Sequence, residues 1–63
     1  MRAWLKEKRD EKGLVQRDVA EKVGISRQFY TLIETGARNP STKVAKKIAT
    51  TLGFQDKWYL LLE

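Results

Sequence analysis

The sequence predicts an all-α fold, a compact bundle of five helices, from three observations. Apolar residues recur at intervals of three and four, which is the spacing of one face of a helix, rather than at intervals of two. Residues that interrupt helices follow these stretches regularly, at Gly13, Gly24, Gly36, Pro40 and Gly53. The 63 residues contain neither cysteine nor histidine. A chain this short and without disulfides or zinc must therefore be stabilised by regular packing or by association with another chain.

The first two helices are predicted over residues 2–12 and 16–23. Trp4 and Leu5 lie on the inner face of the first helix. The inward positions of the second helix are Val19, Ala20 and Val23. Its N-cap position is occupied by Val15, whose side chain cannot accept a hydrogen bond. We therefore expect a loss of about 1 kcal/mol of helix stability at this end.

The third helix is predicted over residues 27–35, after a sharp corner at Gly24. Glycine is favoured there because the backbone enters the left-handed region at a helix end. Ile25 is expected in the core, and Ser26 is a good N-cap residue for the third helix.

The fourth helix is predicted over residues 42–52, with Ser41 as its N-cap. Its inward positions at helical spacing are Val44, Ala45, Ile48, Ala49 and Leu52. Phe54 is expected in the core, and Asp56 begins a last short helical segment whose register the pattern does not determine.

The positive charge is concentrated after the corner. The chain has a formal net charge of +5, and residues 25–53 carry five basic side chains against Glu34 alone. A polyanion such as a nucleic acid is a natural partner for such a surface, although charge alone is equally typical of a solvated face.

The third helix directs a particular set of side chains outward. At 100° per residue, Tyr30, Ile33 and Glu34 share the buried side, and Gln28, Leu32 and Thr35 share the opposite side. Arg27 lies on the first turn, where a long side chain extends past the helix end. Arginine pairs with guanine, glutamine with adenine, and apolar side chains contact the thymine methyl group in the major groove of DNA. The same stripe is also compatible with a protein-binding face or with an element used only for packing.

The segment "LKEKRDEKGLVQRDVAEKVGISRQFYTLIETGARNPSTKVAKKIATTLG" resembles the helix-turn-helix domain of the phage repressor and Cro family, the XRE-type regulators. The resemblance rests on an ordered set of short motifs: Gly13–Leu14–x–Gln16, Ala20, Gly24–Ile25–Ser26, Ile33–Glu34, Gly36, Arg38–Asn39–Pro40–Ser41, Ile48–Ala49 and Leu52–Gly53. It implies a lambda-repressor-like bundle of five helices in a single DNA-binding domain, residues 1–63, with the helix-turn-helix at about 16–35. It further implies a transcriptional regulator, a repressor that acts as a dimer on a palindromic operator of double-stranded DNA.

The resemblance also implies roles for individual residues. The positions that match base-reading residues are Arg27, Gln28, Phe29 and Leu32. The positions that match contacts to the DNA backbone are Gln16, Ser26, Thr31, Thr35, Arg38, Asn39 and Ser41. Arg9 and Glu34 match a pair that forms an internal salt bridge in relatives, the alternative being two solvated side chains. At Leu32 relatives often carry a polar or basic residue, so reading there would depend on shape and methyl contact.

The last ten residues, 54–63, carry more large apolar side chains than one final turn can bury. In relatives this segment often forms the dimer contact, so the interface candidates are Trp58, Leu60, Leu61 and Leu62. The alternative is that two of these side chains complete the core. The apolar tail and Phe29 would also suit a protein-interaction module of the antitoxin type, whose helices cover a partner protein.

Other classes of protein are not indicated. Without histidine, cysteine, a carboxylate pair in a plausible cleft or a glycine-rich phosphate loop, we expect no enzyme, no cofactor and no metal. No apolar run approaches the roughly 20 residues that span a bilayer, and the first residues lack the apolar region of a signal peptide. We therefore expect a cytoplasmic protein that has no contact with a membrane.

Overall fold

Four α-helices and one 3-10 helix follow one another in the computed structural model, which describes all 63 residues. They are α1 (Ala3–Glu11), α2 (Gln16–Val23), α3 (Arg27–Thr35), α4 (Thr42–Leu52) and a C-terminal 3-10 helix (Gln55–Leu62). The structure contains no strand, so the predicted all-α class is confirmed. None of the helices combines the length and apolar character that crossing a lipid bilayer would require.

One hydrophobic core lies between the helices. Its buried side chains are Leu5, Val19, Ala20, Val23, Tyr30, Ile33, Ala45, Ile48, Ala49, Leu52, Phe54 and Leu61. The helix α4 packs on α2 and on the C-terminal 3-10 helix, whereas α3 packs on α2 and α1. The helix α3 is therefore held from one side only, which leaves its other side open to solvent.

The corner between α2 and α3 is fixed by hydrogen bonds at both of its ends. Gly24 has a φ of 80°, and its amide and that of Ile25 donate to the carbonyl of Ala20 at 2.9 and 3.0 Å. A Cβ atom added at Gly24 would meet no atom within 4 Å, so backbone conformation rather than space favours glycine there. Ser26 Oγ accepts the amide of Phe29 at 3.0 Å and begins α3.

Asp18 partly compensates for the missing cap at the start of α2. Val15 occupies the N-cap position, with extended backbone (φ −94°, ψ 166°) and no hydrogen bond from its side chain. Asp18 Oδ2 accepts the amide of Val15 at 3.1 Å. This contact is the reciprocal half of a capping box, and the carboxylate also interacts favourably with the positive end of the helix dipole.

Replacing Val15 with threonine is therefore expected to stabilise the protein by about 1 kcal/mol, because the hydroxyl completes the capping box without changing the side-chain shape. The side chain is 55% exposed, so no core packing is lost. Thermal unfolding followed by circular dichroism should show a midpoint higher by about 4–8 °C. Val15→Ala is the control, and equal midpoints for the threonine and alanine variants would contradict the capping argument.

The C-terminal 3-10 helix divides its apolar side chains between the core and the surface. Leu61 is fully buried, Trp58 and Leu60 are half-buried, and Tyr59 and Leu62 are 46% and 37% exposed. The prediction of Leu61 as a dimer contact is wrong, because its side chain is enclosed by the core of its own chain. The helical backbone is interrupted at Lys57 (φ −125°, ψ 29°), which separates two short turns.

Candidate nucleic-acid interface

The side of α3 that faces solvent carries the side chains predicted there from helical periodicity. Arg27, Gln28 and Thr35 are exposed, and Leu32 is 39% exposed. Arg27, Gln28 and Leu32 line one shallow depression together with Thr31. We call Arg27, Gln28, Leu32 and Thr35 the outer stripe of α3. It combines a guanidinium, an amide and an apolar group on one solvent-accessible surface.

Phe29 and Thr31 lie beside this stripe and have structural contacts of their own. Phe29 is half-buried and packs against the hydrophobic core, so only part of its ring is accessible to a ligand. Thr31 Oγ1 lies 2.9 Å from Gln16 Oε1 and 3.0 Å from the carbonyl oxygen of Arg27, so these two acceptors share its single hydroxyl proton. These two residues therefore help to hold α3 in place.

Gln16 connects the start of α2 to α3. Its Nε2 donates to Glu34 Oε1 at 3.2 Å, and its Oε1 accepts the hydroxyl of Thr31. The side-chain amide is thus bonded on both sides, and the first turn of α2 is fixed against the middle of α3. The first two backbone amides of α2, those of Gln16 and Arg17, have no acceptor within the helix and suit an anion, whereas the amide of Asp18 donates to the carbonyl of Val15 at 3.0 Å.

A buried ion pair joins α1 to α3. Arg9 Nε donates to Glu34 Oε2 and Arg9 Nη2 donates to Glu34 Oε1, both at 3.0 Å, and Arg9 Nη1 donates to the carbonyl of Leu14 at 2.9 Å. The side chains are 10% and 2% exposed. This is the pair that the family resemblance implied, in a two-pronged geometry that fixes the angle between the two helices.

The surroundings of Glu34 determine its charge. Burial alone would raise the pKa of the Glu34 carboxyl, but the hydrogen bonds from Arg9 and Gln16 outweigh it and hold the pKa below its ordinary value. The hydrogen bond to Glu34 raises the pKa of Arg9 in turn. Burial raises the pKa of the neighbouring Tyr30, so that its hydroxyl stays neutral. Glu34 is consequently ionised and occupied inside the protein rather than free to meet a ligand.

The loop between α3 and α4 is organised by Arg2, a residue that the sequence analysis did not single out. Its guanidinium donates to the carbonyls of Ile33 and Arg38 and to the side-chain oxygen of Asn39. It also donates to the carbonyl of Leu61 at 3.0 Å. Asn39 therefore has a structural contact, whereas the side chain of Arg38 remains exposed and unpaired. Arg2 itself is only 9% exposed.

The remaining backbone candidates are exposed residues at helix ends. Ser26 and Ser41 cap α3 and α4, and Ser41 Oγ accepts the amide of Val44 at 3.2 Å. Thr35 Oγ1 donates to the carbonyl of Leu32 at 3.1 Å. These hydroxyls keep a further acceptor capacity and lie at the two ends of α3 and in the loop that follows.

Arg17 is a second residue that the sequence analysis missed. It is exposed on the first turn of α2 and lines one depression with Gln16 and Arg27. The depression thus brings two unpaired guanidinium groups together from two helices. The sequence does not predict that Arg17 and Arg27 lie close together, because their separation depends on the angle between α2 and α3 at Gly24.

Comparison with known proteins identifies the family. The model of a family described as helix-turn-helix matches residues 5–58. The chain belongs to the helix-turn-helix family. The resemblance indicated by the short motifs is thereby confirmed.

Several relatives carry related names. An uncharacterized HTH-type transcriptional regulator of Bacillus subtilis, YqaF, is 49% identical over 63 residues, which are 100% of this chain and 80% of that protein. Another uncharacterized HTH-type transcriptional regulator, from Methanothermobacter thermautotrophicus, is 43% identical over 84% of this chain and 77% of its own length. The ImmF control region 10 kDa protein of Bacillus phage phi105 is 45% identical over 75% of this chain and 52% of its own length. No solved structure matches the chain.

Proposed function

We propose that this helix-turn-helix protein is a sequence-specific regulator of transcription that binds double-stranded DNA, with α3 in the major groove. The observation that carries the proposal is the two-sided character of α3. Its inner side is buried and braced by Arg9 and Gln16, while Arg27, Gln28 and Leu32 are exposed together on its outer side. A rigid helix with an accessible polar stripe suits a groove whose base edges carry a distinct pattern of donors and acceptors.

The outer stripe has the chemistry for reading base edges. The Gln28 amide can make a pair of hydrogen bonds with adenine, and the Arg27 guanidinium with guanine. Leu32 offers apolar contact to a thymine methyl group, since its side chain carries no polar atom.

The surroundings of α3 have the chemistry for contacts to phosphates. Arg17, Arg38 and the first amides of α2 present positive charge or free N–H groups on either side of the outer stripe. Ser26, Ser41 and Thr35 offer hydroxyls at the ends of the same region. Such contacts would fix the position of α3 without contributing sequence preference.

We further propose that the protein acts as a dimeric repressor on a palindromic operator. Tyr59 and Leu62 are exposed apolar side chains next to the half-buried Trp58 and Leu60, and together they offer a patch to a second copy. The phage control-region protein among the relatives supports a role in the control of genes. Selection of bound sequences from a random duplex pool tests the proposal, because a dimer should select two inverted half-sites about one helical turn apart.

Gln28→Ala is expected to reduce affinity for the selected sequence by about 1–3 kcal/mol and to relax preference at one base pair, because a bidentate contact to a base edge is lost. Arg38→Ala should instead weaken binding to selected and random duplexes alike, since it removes a contact to phosphate. Fluorescence anisotropy at a fixed salt concentration measures both effects. Equal losses on both duplexes for the Gln28 variant would contradict the assignment of Gln28 to base reading.

A protein-interaction module of the antitoxin type is the second candidate function. The observation that favours it is the exposed apolar surface of the C-terminal 3-10 helix, where Tyr59 and Leu62 are 46% and 37% exposed. Titration with random duplex at low salt separates the two candidates. Absence of binding at micromolar protein would favour this module, because nonspecific binding to DNA is driven by charge and is strongest at low salt.

A further inference from the structure

A cluster of lysines lies apart from the outer stripe of α3. Lys22, near the end of α2, and Lys46 and Lys47 of α4 line one surface cavity together with Thr50 and Thr51. We call these five residues the lysine crease. It contains no acidic and no apolar side chain, and it shares no residue with the depressions that involve Arg27.

The lysine crease has an excess of positive charge, although Lys22 also lines a neighbouring depression with the acidic Asp18 and Glu21. None of its three lysines lies within salt-bridge distance of a carboxylate. The helix α4 carries three lysines and no acidic residue, and two of them, Lys43 and Lys47, are four residues apart. Like charges at this spacing destabilise a helix, and apart from the contact of Lys46 with the Trp58 ring no interaction within the fold accounts for their concentration.

The chemistry of the crease suits the phosphodiester groups of a nucleic acid. Ammonium groups act as point charges toward phosphate oxygens, and the hydroxyls of Thr50 and Thr51 can donate to the same oxygens. The crease is lined by residues of α2 and α4 and by none of α3, so it is separate from the outer stripe of α3.

We propose that the lysine crease is a second site for the DNA backbone, which takes phosphates outside those contacted around α3. This inference rests on the proposed binding of duplex DNA and extends it. The crease supplies affinity that depends on salt and is indifferent to sequence, and α3 supplies the preference for sequence.

The test compares two variants of the full chain that lose equal charge. K22Q/K46Q/K47Q removes the lysines of the crease, and K6Q/K12Q/K57Q removes three exposed lysines outside it. Binding to duplexes of about 30 base pairs, roughly three helical turns, is measured by anisotropy over a range of salt concentrations. Thermal unfolding of each variant verifies that the fold is retained.

The plot of log K against log salt has a negative slope, to which each phosphate contact contributes about 0.9. For the crease variant the magnitude of this slope should be smaller by about 2–3. The control variant should reduce it by less than about 1. Lys46 Nζ also lies 5.0 Å from the centroid of the Trp58 ring. The double variant K22Q/K47Q preserves that contact and should still reduce the slope by about 1.8.

Equal slopes for the crease and control variants would overturn the proposal, and so would an unchanged slope for the crease variant. The latter is the result expected if the lysines meet an acidic protein instead of DNA. Failure of the proposed function is a different result. It would appear as equal affinity of the unsubstituted protein for selected and random duplexes, whereas the comparison of slopes can be made on random duplex alone.

Discussion

Replacing Arg9 with methionine is expected to lower the free energy of unfolding by about 3–5 kcal/mol. The substitution keeps an aliphatic chain of similar length but leaves the Glu34 carboxylate, which is 1% exposed, without its charged partner. It also leaves the carbonyl of Leu14 without its donor. An unpaired charge inside a protein is far more costly than a buried pair that is intact.

The effect should be large relative to the stability of the whole domain. A chain of 63 residues is expected to unfold with a free energy of about 3–9 kcal/mol, at roughly 0.05–0.15 kcal/mol per residue. The loss expected for Arg9→Met therefore amounts to at least about a third of the stability of the domain. Denaturation by urea, followed by circular dichroism, measures the difference.

Two control variants separate the loss of the pair from the loss of one charge. Arg17→Met removes an exposed arginine that makes no ion pair, and should change stability little. The double variant R9M/E34M replaces the pair with apolar side chains and should recover much of the loss, because no buried charge remains. A double variant as unstable as Arg9→Met would show that the packing of Arg9, and not its charge, is what stabilises the protein.

The same pair determines how stability depends on pH. Because the pKa of Glu34 in the folded protein lies below its ordinary value, its contribution is fully present above that ordinary value. The contribution is lost as the pH falls through the lowered pKa, since the folded protein must then protonate a carboxylate that Arg9 requires in its charged form. Stability of the R9M/E34M variant should decline less over this acid range, a difference that urea titrations at several pH values would detect.

The helices could be predicted from sequence because each helix boundary has a local cause. Ser26 and Ser41 accept the amides three residues ahead of them, and Gly24 adopts the left-handed backbone that ends α2. Such features depend only on neighbouring residues. The outer stripe of α3 could be predicted equally well, since helical periodicity alone places Gln28 on the side of the helix opposite Tyr30.

Contacts between distant residues could not be predicted in the same way. The buried position of Leu61, the depression shared by Arg17 and Arg27, and the contacts of Arg2 all depend on how separate elements pack. The identity of the side chain even misleads in two of these cases. An arginine at position 2 suggests a solvated terminus, and a leucine among the last residues suggests a surface for a second chain.

Replacing Arg2 with methionine is the second change expected to have a large effect, a loss of about 3 kcal/mol of stability. One guanidinium donates to three carbonyls and to the side chain of Asn39, and a hydrogen bond from a charged group contributes about 1.5–3 kcal/mol. Without it, the carbonyl of Leu61 is left buried and without a donor, and the carbonyl of Ile33 keeps only the amide of Gly36, at the junction of α3 with the C-terminal 3-10 helix. Urea denaturation with Arg17→Met as the matched control measures the loss.

The Arg2→Met substitution should also weaken the proposed contacts to DNA. A change of stability alone would not lower DNA affinity under conditions in which the variant is fully folded. Arg2 holds the backbone at Arg38 and the side chain of Asn39, so its removal frees the loop that presents Arg38 to a phosphate. Affinity measured well below the unfolding midpoint should fall equally for selected and random duplexes, because phosphate contacts carry no sequence preference. Unchanged affinity together with reduced stability would limit Arg2 to the core junction, and unchanged stability would show that water replaces its hydrogen bonds at no cost.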